Sequence, residues 1–362
     1  MADSGGHWAN LAAAQKLTQS NKIPGVFEED IKRNNPLERL TVGQAAHTGL
    51  KIEWLREKPA NVAALEAAIA EKDIGEGLSW TEDVDYEEKE MTLRSSYIQR
   101  KLDHFLPGIY GTYNNYEARM LLECEKAMKR KIGARVIYAD NTYNSAKQFD
   151  GIHALAAEHG APLATPWAAG GNDPKNLDAN EVGLSLALLR FQVDEMKHGV
   201  DEIWAPFEII RRMDAAYQEK GFAGLAYNVS GNLGFLTLGY NELGKRVLFW
   251  DAIPIIRTDY LVKEEANTGT GSSADARALY SSTGMYSLFL VKHGNVMNQE
   301  PGLTYAYGGT EGAGDFYKLV RFPELENYDA GGIRIVNYGA LLLGSSLCLG
   351  RMFDVADVAI TV

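Results

Sequence analysis

The stretch Gly239-Tyr-Asn-Glu-Leu-Gly-Lys-Arg246 carries two glycines five residues apart with a lysine after the second. That is most of a phosphate-cradling loop, G-x-x-x-x-G-K-[ST], whose chemistry needs backbone N–H groups around the phosphates and a hydroxyl on magnesium. Arg246 stands where the hydroxyl belongs, and the following residues, "VLFWDAIPII", are rich in β-branched and aromatic side chains and interrupted by Pro254. A working loop of this kind opens a helix, whose N-terminus holds the anion. Here the sequence predicts a turn feeding a strand, with Gly244 supplying permissive backbone angles.

Other signatures of chemistry fail in the same way. "LGSSLCLG" approaches G-x-S-x-G but has Cys348 where the last glycine belongs, and H-E-x-x-H is absent. The seven histidines are scattered, and His153 and His159 are off the i, i+4 spacing of helical metal ligands. The glycine-rich loops at 267–273 and 308–314 hold no lysine, and "NVS" at 228–230 would serve as a glycosylation acceptor only in a secreted protein. Two cysteines, Cys124 and Cys348, build no disulfide framework and read as small buried apolar residues. The sequence nominates no catalytic residue, no cofactor site and no metal site.

Composition sets the frame for the elements. The chain has 362 residues, 46% hydrophobic and 23% charged, which is enough for one large core or two modest ones. A net charge of −12 argues against a nucleic-acid reader, whose footprint is basic. The N-terminus lacks a secretory signal and no apolar run reaches the roughly 18 residues of a membrane helix. The expectation is a soluble protein made in a reducing cytoplasm.

Residues 1–45 are mixed and broken by Pro24 and Pro36, and 60–72 is alanine-rich and helical in pattern. From Glu71 to Glu90 there are nine acids against two lysines, which suggests a projecting hairpin or loop. A strong helix follows. Asn114 and Glu117 form a variant capping box, and Tyr116, Met120, Cys124, Ala127 and Met128 recur at helical spacing. Its bases gather toward the end, and Gly133 is the expected terminator. A short strand is expected next, in "ARVIY". A second helix is expected over about 180–198, with a stripe of Val182, Leu186, Leu189, Val193 and Met196. "DEIWAP" reads as a strand entering a helix that stops at Gly221. The remainder reads mainly β, with a short helical piece near "SSLCLGRMF".

In this order the stretches resemble a tailed-bacteriophage major capsid protein, of the fold shared with encapsulin shells. "NNYEARMLLECEKAMKRKIGARVIYAD" resembles the family's spine helix and the strand and turn after it, with Ala139-Asp140 where a glycine is usual. "YNSAKQFDGIHAL" resembles the "F-D-G-L" segment, and residues 177–218 resemble the helix, strand and helix of the axial domain. "LGKRVLFWDAIPIIRTD" resembles the "G-I-P-I" segment, with Asp251 in place of a glycine; it includes the end of the phosphate-loop lookalike. "GMYSLFLVKHG" and "IRIVNYGALLLGSSLCLGRMFDV" resemble the later strand and the closing strand and helix. The likeness covers residues 75 to 362.

The resemblance implies an α+β fold. Residues 1–60 would be the N-terminal arm and 75–112 the extended loop. Residues 113–170 and about 241–343 would form mainly the peripheral domain, with 171–240 and 344–362 mainly the axial domain. It implies a structural protein, not an enzyme, whose copies form pentamers and hexamers of an icosahedral shell around double-stranded phage DNA. Scaffolding, portal and decoration proteins are possible partners, DNA is enclosed without sequence-specific binding, and no membrane is involved. Such a protein belongs to the virion and assembles in the host cytoplasm. The alternatives are an encapsulin-type cellular compartment and an oligomeric α/β enzyme with an unrecognised site. The candidate inter-subunit contacts are the acids Glu82, Asp83, Asp85, Glu87 and Glu88 against Lys126, Lys129, Arg130 and Lys131 of a neighbour.

Overall fold

The structure is a computed structural model and describes residues 32, 34–44, 51–57, 59–69, 71, 73–77, 86–104, 116–141, 147–156, 162–163, 173–224, 236–240, 246–264, 284–308, 316–326 and 330–361. In chain order the strands are β1 Thr41–Gln44, β2 Lys51–Glu57, β3 Tyr86–Thr92, β4 Arg94–Asp103, β5 Pro162–Leu163, β6 Asp173–Asp178, β7 Gly183–Ser185, β8 Glu202–Ala205, β9 Leu236–Tyr240, β10 Arg246–Trp250, β11 Ile253–Arg257, β12 Tyr286–Val291, β13 Leu303–Tyr307, β14 Lys318–Phe322, β15 Ala330–Leu343 and β16 Leu349–Thr361. The helices are α1 Pro59–Ala68, α2 Tyr116–Tyr138, α3 Ile152–Ala156, α4 Leu186–Glu195 and α5 Phe207–Gly224. The fold is α+β, as the sequence implied.

Among the described residues the strands form three sheets. A five-stranded sheet is built on β15, which pairs antiparallel with β4 from Arg94↔Gly339 to Asp103↔Ala330 and also carries β13 and β14, while β1 adds in parallel to β13. A nine-stranded sheet runs β5-β6-β16-β12-β8-β11-β10-β9, with β7 also on β16. A separate two-stranded ribbon joins β2 to β3.

The nine-stranded sheet separates two cores. On β12, Phe289 and Val291 enter the core that holds α2 and α3, whereas Leu288 and Leu290 enter the core of α4 and α5. β8 does the same, with Trp204 on one side and Ile203 and Ala205 on the other. Successive side chains of a strand point to opposite faces, so an unbroken apolar run such as "LFLV" is what a strand buried on both faces requires.

The structure corrects several expectations. α2 does not end at Gly133; it runs to Tyr138, and "ARVIY" is its last turn and not a strand. Gly133 is there for space: an added Cβ would sit 2.2 Å from Asn35 Oδ1. α4 begins at Leu186 and not near 180, because Gly183–Ser185 pair with β16 and the turn before them puts Asn180 and Glu181 at positive φ. Of its stripe, Leu189 and Met196 are buried, while Val182 is 52% exposed. α5 passes Gly221 and ends at Gly224. The closing helix is reduced to one 3-10 turn, Ser346–Cys348, and the residues after it are β16, whose Leu349 faces one core and Met352 and Val355 the other.

Candidate interaction surface

The phosphate-loop lookalike is a hairpin. β9 and β10 pair antiparallel, with Arg246 opposite Tyr240, and no helix follows; Lys245 lies outside the described residues. The next turn, between β10 and β11, places Asp251 and Ala252 at φ 47° and 65°. That is the backbone a glycine would favour, at the position where the resemblance marks one as missing. The Asp251 carboxylate accepts a hydrogen bond from Arg190 of α4.

The acidic run is split by the strand that carries it. Glu82, Asp83 and Asp85 lie outside the described residues. Glu87 and Glu88 are neighbours on β3, so they project to opposite faces of the ribbon. The inner face carries Ile52 and Met91, both buried, with Trp54 packed against the main core. Arg56 lies on this face and donates to the carbonyls of Leu343 and Gly344 at the end of β15. Glu87 is also on it, 2.8 Å from Lys89 Nζ. The outer face carries Glu53, Glu57, Glu88 and Glu90, together with Leu55 (69% exposed) and Tyr86 (58% exposed). Its one cation, Lys51, donates to Glu90, and that hydrogen bond holds its ammonium above the ordinary lysine value. The ribbon thus presents an acidic strip with two apolar side chains in it.

Its binding to the body leaves a cleft of about 820 Å³, lined by Leu55, Arg56, Lys89, His198 and Ser345 among others. Acids and bases of both signs line it, so it defines no ligand class.

The four predicted bases sit on the second half of α2. Lys126 and Lys131 are exposed, and Lys129 and Arg130 half-buried. Lys129 is engaged within its own chain: its Nζ lies 2.7 Å from Glu38 Oε1, and its carbonyl accepts from Asn35 Nδ2 at 2.9 Å. A second cationic surface was not foreseen. The five-stranded sheet packs α2 on one face, where Ser96, Arg100 and Arg321 meet Arg135, Glu123 and Glu117. The register puts Tyr97, Lys101, Arg334, Tyr338 and Lys318 on the other face. Tyr97 and Tyr338 are exposed there, and the Arg334 guanidinium lies over the Phe322 ring at 4.8 Å. Period-two alternation in "SSYIQRK" is the signal that would have found it.

Sequence reasoning also passed over a buried polar cluster, His153, Glu264, Ser287 and Arg351, where α2 and α3 meet the nine-stranded sheet. Among the described residues no group of three or more His, Cys, Asp or Glu side chains could hold a metal ion. No helix there is long and apolar enough to cross a membrane.

No protein-family model matches the chain, and no curated protein matches it in sequence. Solved structures do match. The holo-SrpI encapsulin complex from Synechococcus elongatus PCC 7942 is similar with a TM-score of 0.61 and 13% identity, over 97% of each chain. The capsid of the cyanophage P-SCSP1u gives 0.54 at 9% identity over 93% of each. The capsid of Myoviridae phage XM1 gives 0.54 at 8% identity, over 94% of this chain and 97% of that one. The chain therefore has the fold shared by phage capsid proteins and encapsulins, over nearly its whole length. That is the fold the sequence resemblance pointed to.

Proposed function

We propose that this chain is a major capsid subunit, whose copies assemble into pentamers and hexamers of an icosahedral shell enclosing double-stranded phage DNA. The observation that carries the reading is end-to-end similarity to shell proteins at identities of 8–13%. At that identity the fold is shared while the surface chemistry is free to differ. In this reading the protein is structural and not an enzyme, resides in the virion and is assembled in the host cytoplasm. Its net charge of −12 gives a lining with little grip on phosphate.

In this reading β2 and β3 together are the extended loop, which takes residues 51–57 from the N-terminal arm. The five-stranded sheet with α2 is the peripheral domain. Strand pairing supports giving β10, β11 and β12 to the axial domain along with β8 and β16.

The outer acids of the ribbon, with Glu88 at their centre, lie on cations of a neighbouring copy, and Lys126 and Lys131 of α2 are the partners. Exposed ion pairs contribute about 0–1 kcal/mol each, but a shell repeats the contact at every subunit, and Leu55 and Tyr86 add apolar burial.

The test is electron microscopy of the purified protein, with its nucleic acid content. Closed shells are expected; a lone monomer that stays compact and unassembled would overturn the reading, and shells that copurify with a protein cargo would favour the encapsulin alternative. Glu53→Lys with Glu88→Lys, both on the outer face, should impair assembly while leaving the far-ultraviolet spectrum of the subunit intact. Restoration of shells by Lys126→Glu with Lys131→Glu identifies the partner as α2. Restoration by Lys101→Glu with Lys318→Glu would instead place it on the open sheet face. Normal shells from the first double variant would remove the ribbon from the contact.

A further inference from the structure

We infer that His153 is held as an imidazolium and acts as a proton-dependent clasp between the end of α2 and the nine-stranded sheet. This goes beyond the shell reading and does not depend on it.

The side chain is 1% exposed, and each ring nitrogen faces an acceptor. Nδ1 lies 3.0 Å from the carbonyl oxygen of Ile137, and Nε2 lies 2.9 Å from Glu264 Oε1. A carbonyl cannot donate, so Nδ1 must. Glu264 is 2% exposed and ringed by donors: the Tyr138 hydroxyl at 3.0 Å, Ser287 Oγ at 3.2 Å and Arg351 Nη2 at 3.4 Å. Arg351, fully buried, is a permanent cation and keeps Glu264 ionised. An ionised carboxylate cannot donate either, so Nε2 must. A ring that donates from both nitrogens carries a positive charge.

Two further features favour that charge. Ile137 lies in the last turn of α2, where carbonyls lack helical partners and the helix dipole attracts a cation. The residue that would bond it in a longer helix, Asn141, instead donates its N–H to Asp150 Oδ1 at 2.8 Å. The imidazole also stacks on Tyr138 at 4.7 Å between centroids and meets Phe289 edge-on at 4.6 Å. Aromatic faces attract cations.

Among the described residues, the groups that face the ring and its carboxylate include Tyr138 and the Ile137 carbonyl from α2, Glu264 from the segment after β11, Ser287 and Phe289 from β12, and Arg351 from β16. Loss of one proton leaves a lone pair directed at an acceptor on one side or the other. The clasp therefore holds below the ordinary histidine range, which is near pH 6.5, and through it. It loosens as pH rises past the raised value of the folded state. The sign is that of a group whose folded pKa is raised: stability is present at low pH and lost on the alkaline side.

The experiment follows the denaturant midpoint of the protein and of His153→Gln from about pH 5.5 to 9, values bracketing the ordinary range, with hydrogen exchange of residues 134–141. The wild-type advantage should shrink as pH rises, and the protection factors of that segment, the observed exchange relative to the intrinsic rate at each pH, should fall tenfold or more. The variant should respond little to pH. Parallel profiles for the two proteins would overturn the inference. Should the variant fail to fold, nitrogen-15 spectroscopy of the histidines in the wild-type protein decides. Two protonated ring nitrogens on His153 at pH 7.5 are expected, and a single-tautomer neutral ring would refute the clasp.

Discussion

Asn35 occupies the notch that Gly133 leaves in α2. Its Nδ2 donates to the Lys129 carbonyl at 2.9 Å, its Oδ1 accepts from the Leu37 N–H at 3.0 Å, and a Cβ at position 133 would lie 2.2 Å from that oxygen. The segment before β1 is thereby stapled to the long helix, with the Lys129–Glu38 ion pair beside it.

Gly133→Ala should destabilise the protein although alanine is the better helix former by about 1 kcal/mol. The clash outweighs that gain, since overpacking costs about 1–3 kcal/mol. Urea unfolding should show the loss, and Asn35→Ala should cost less in the Gly133→Ala chain than in the wild type, because there it also removes the clash. If Gly133→Ala proves stabilising on its own, Asn35 is not held where the structure has it.

Arg56 should govern the ribbon and little else. Hydrogen bonds to charged groups contribute about 1.5–3 kcal/mol, and this side chain makes two to backbone carbonyls of Leu343 and Gly344. Arg56→Ala should raise hydrogen exchange and protease cleavage within 51–57 and 86–92, while the five-stranded sheet stays protected. Uniform loss of protection through the chain would show that the ribbon is not a separable unit.

Glu202 predicts the acid limb of stability. Burial pushes its carboxyl up, but the Trp204 indole N–H, which donates to it at 2.9 Å, and the nearby His293 and Arg39 outweigh burial and hold it below its ordinary value. A depressed carboxyl contributes stability above its unfolded pKa, and that contribution is lost as pH falls through the folded value. Glu202→Gln should flatten the decline in melting temperature below about pH 4.3, the ordinary glutamate value. An unchanged acid limb would show that other carboxylates control it.

Both thiols should be inert in the folded protein. Burial pushes the Cys124 thiol up and the Cys348 thiol up to about 11, and the thiolate is the reactive form. Alkylation at pH 8 should therefore modify neither until denaturant is added. Rapid labelling of either under native conditions would mean that its core opens locally.

What the sequence revealed depended on how local the signal was. The periodic stripe on α2 and the unbroken apolar run of β12 are each contained within one element, so their type could be read directly. The sequence does not distinguish a glycine that ends a helix from one that admits a neighbour, and the hydrogen bond that places Asn35 beside Gly133 spans 94 residues to Lys129. The residues after Cys348 were read as helical because a short mixed segment has no clear period; their strand character comes from pairing with β12 and β6. The buried cluster was invisible for a similar reason. His153 and Arg351 reach Glu264 across 111 and 87 residues. The acidic strip was legible as charge, but its inner and outer faces exist only once β2 pairs with β3.

β15 is the spine of the five-stranded sheet, and β16 lies inside the nine-stranded one. Residues 330–361 thus supply an interior strand to each. During synthesis the chain emerges from its N-terminal side at about 5–20 residues per second, so β4, β13 and β14 in one sheet and β6, β7 and β12 in the other each wait with an unfilled edge until this stretch leaves the ribosome. Completion of the two sheets is then a nearly simultaneous event, and any docking that reads both of them must wait for this one stretch.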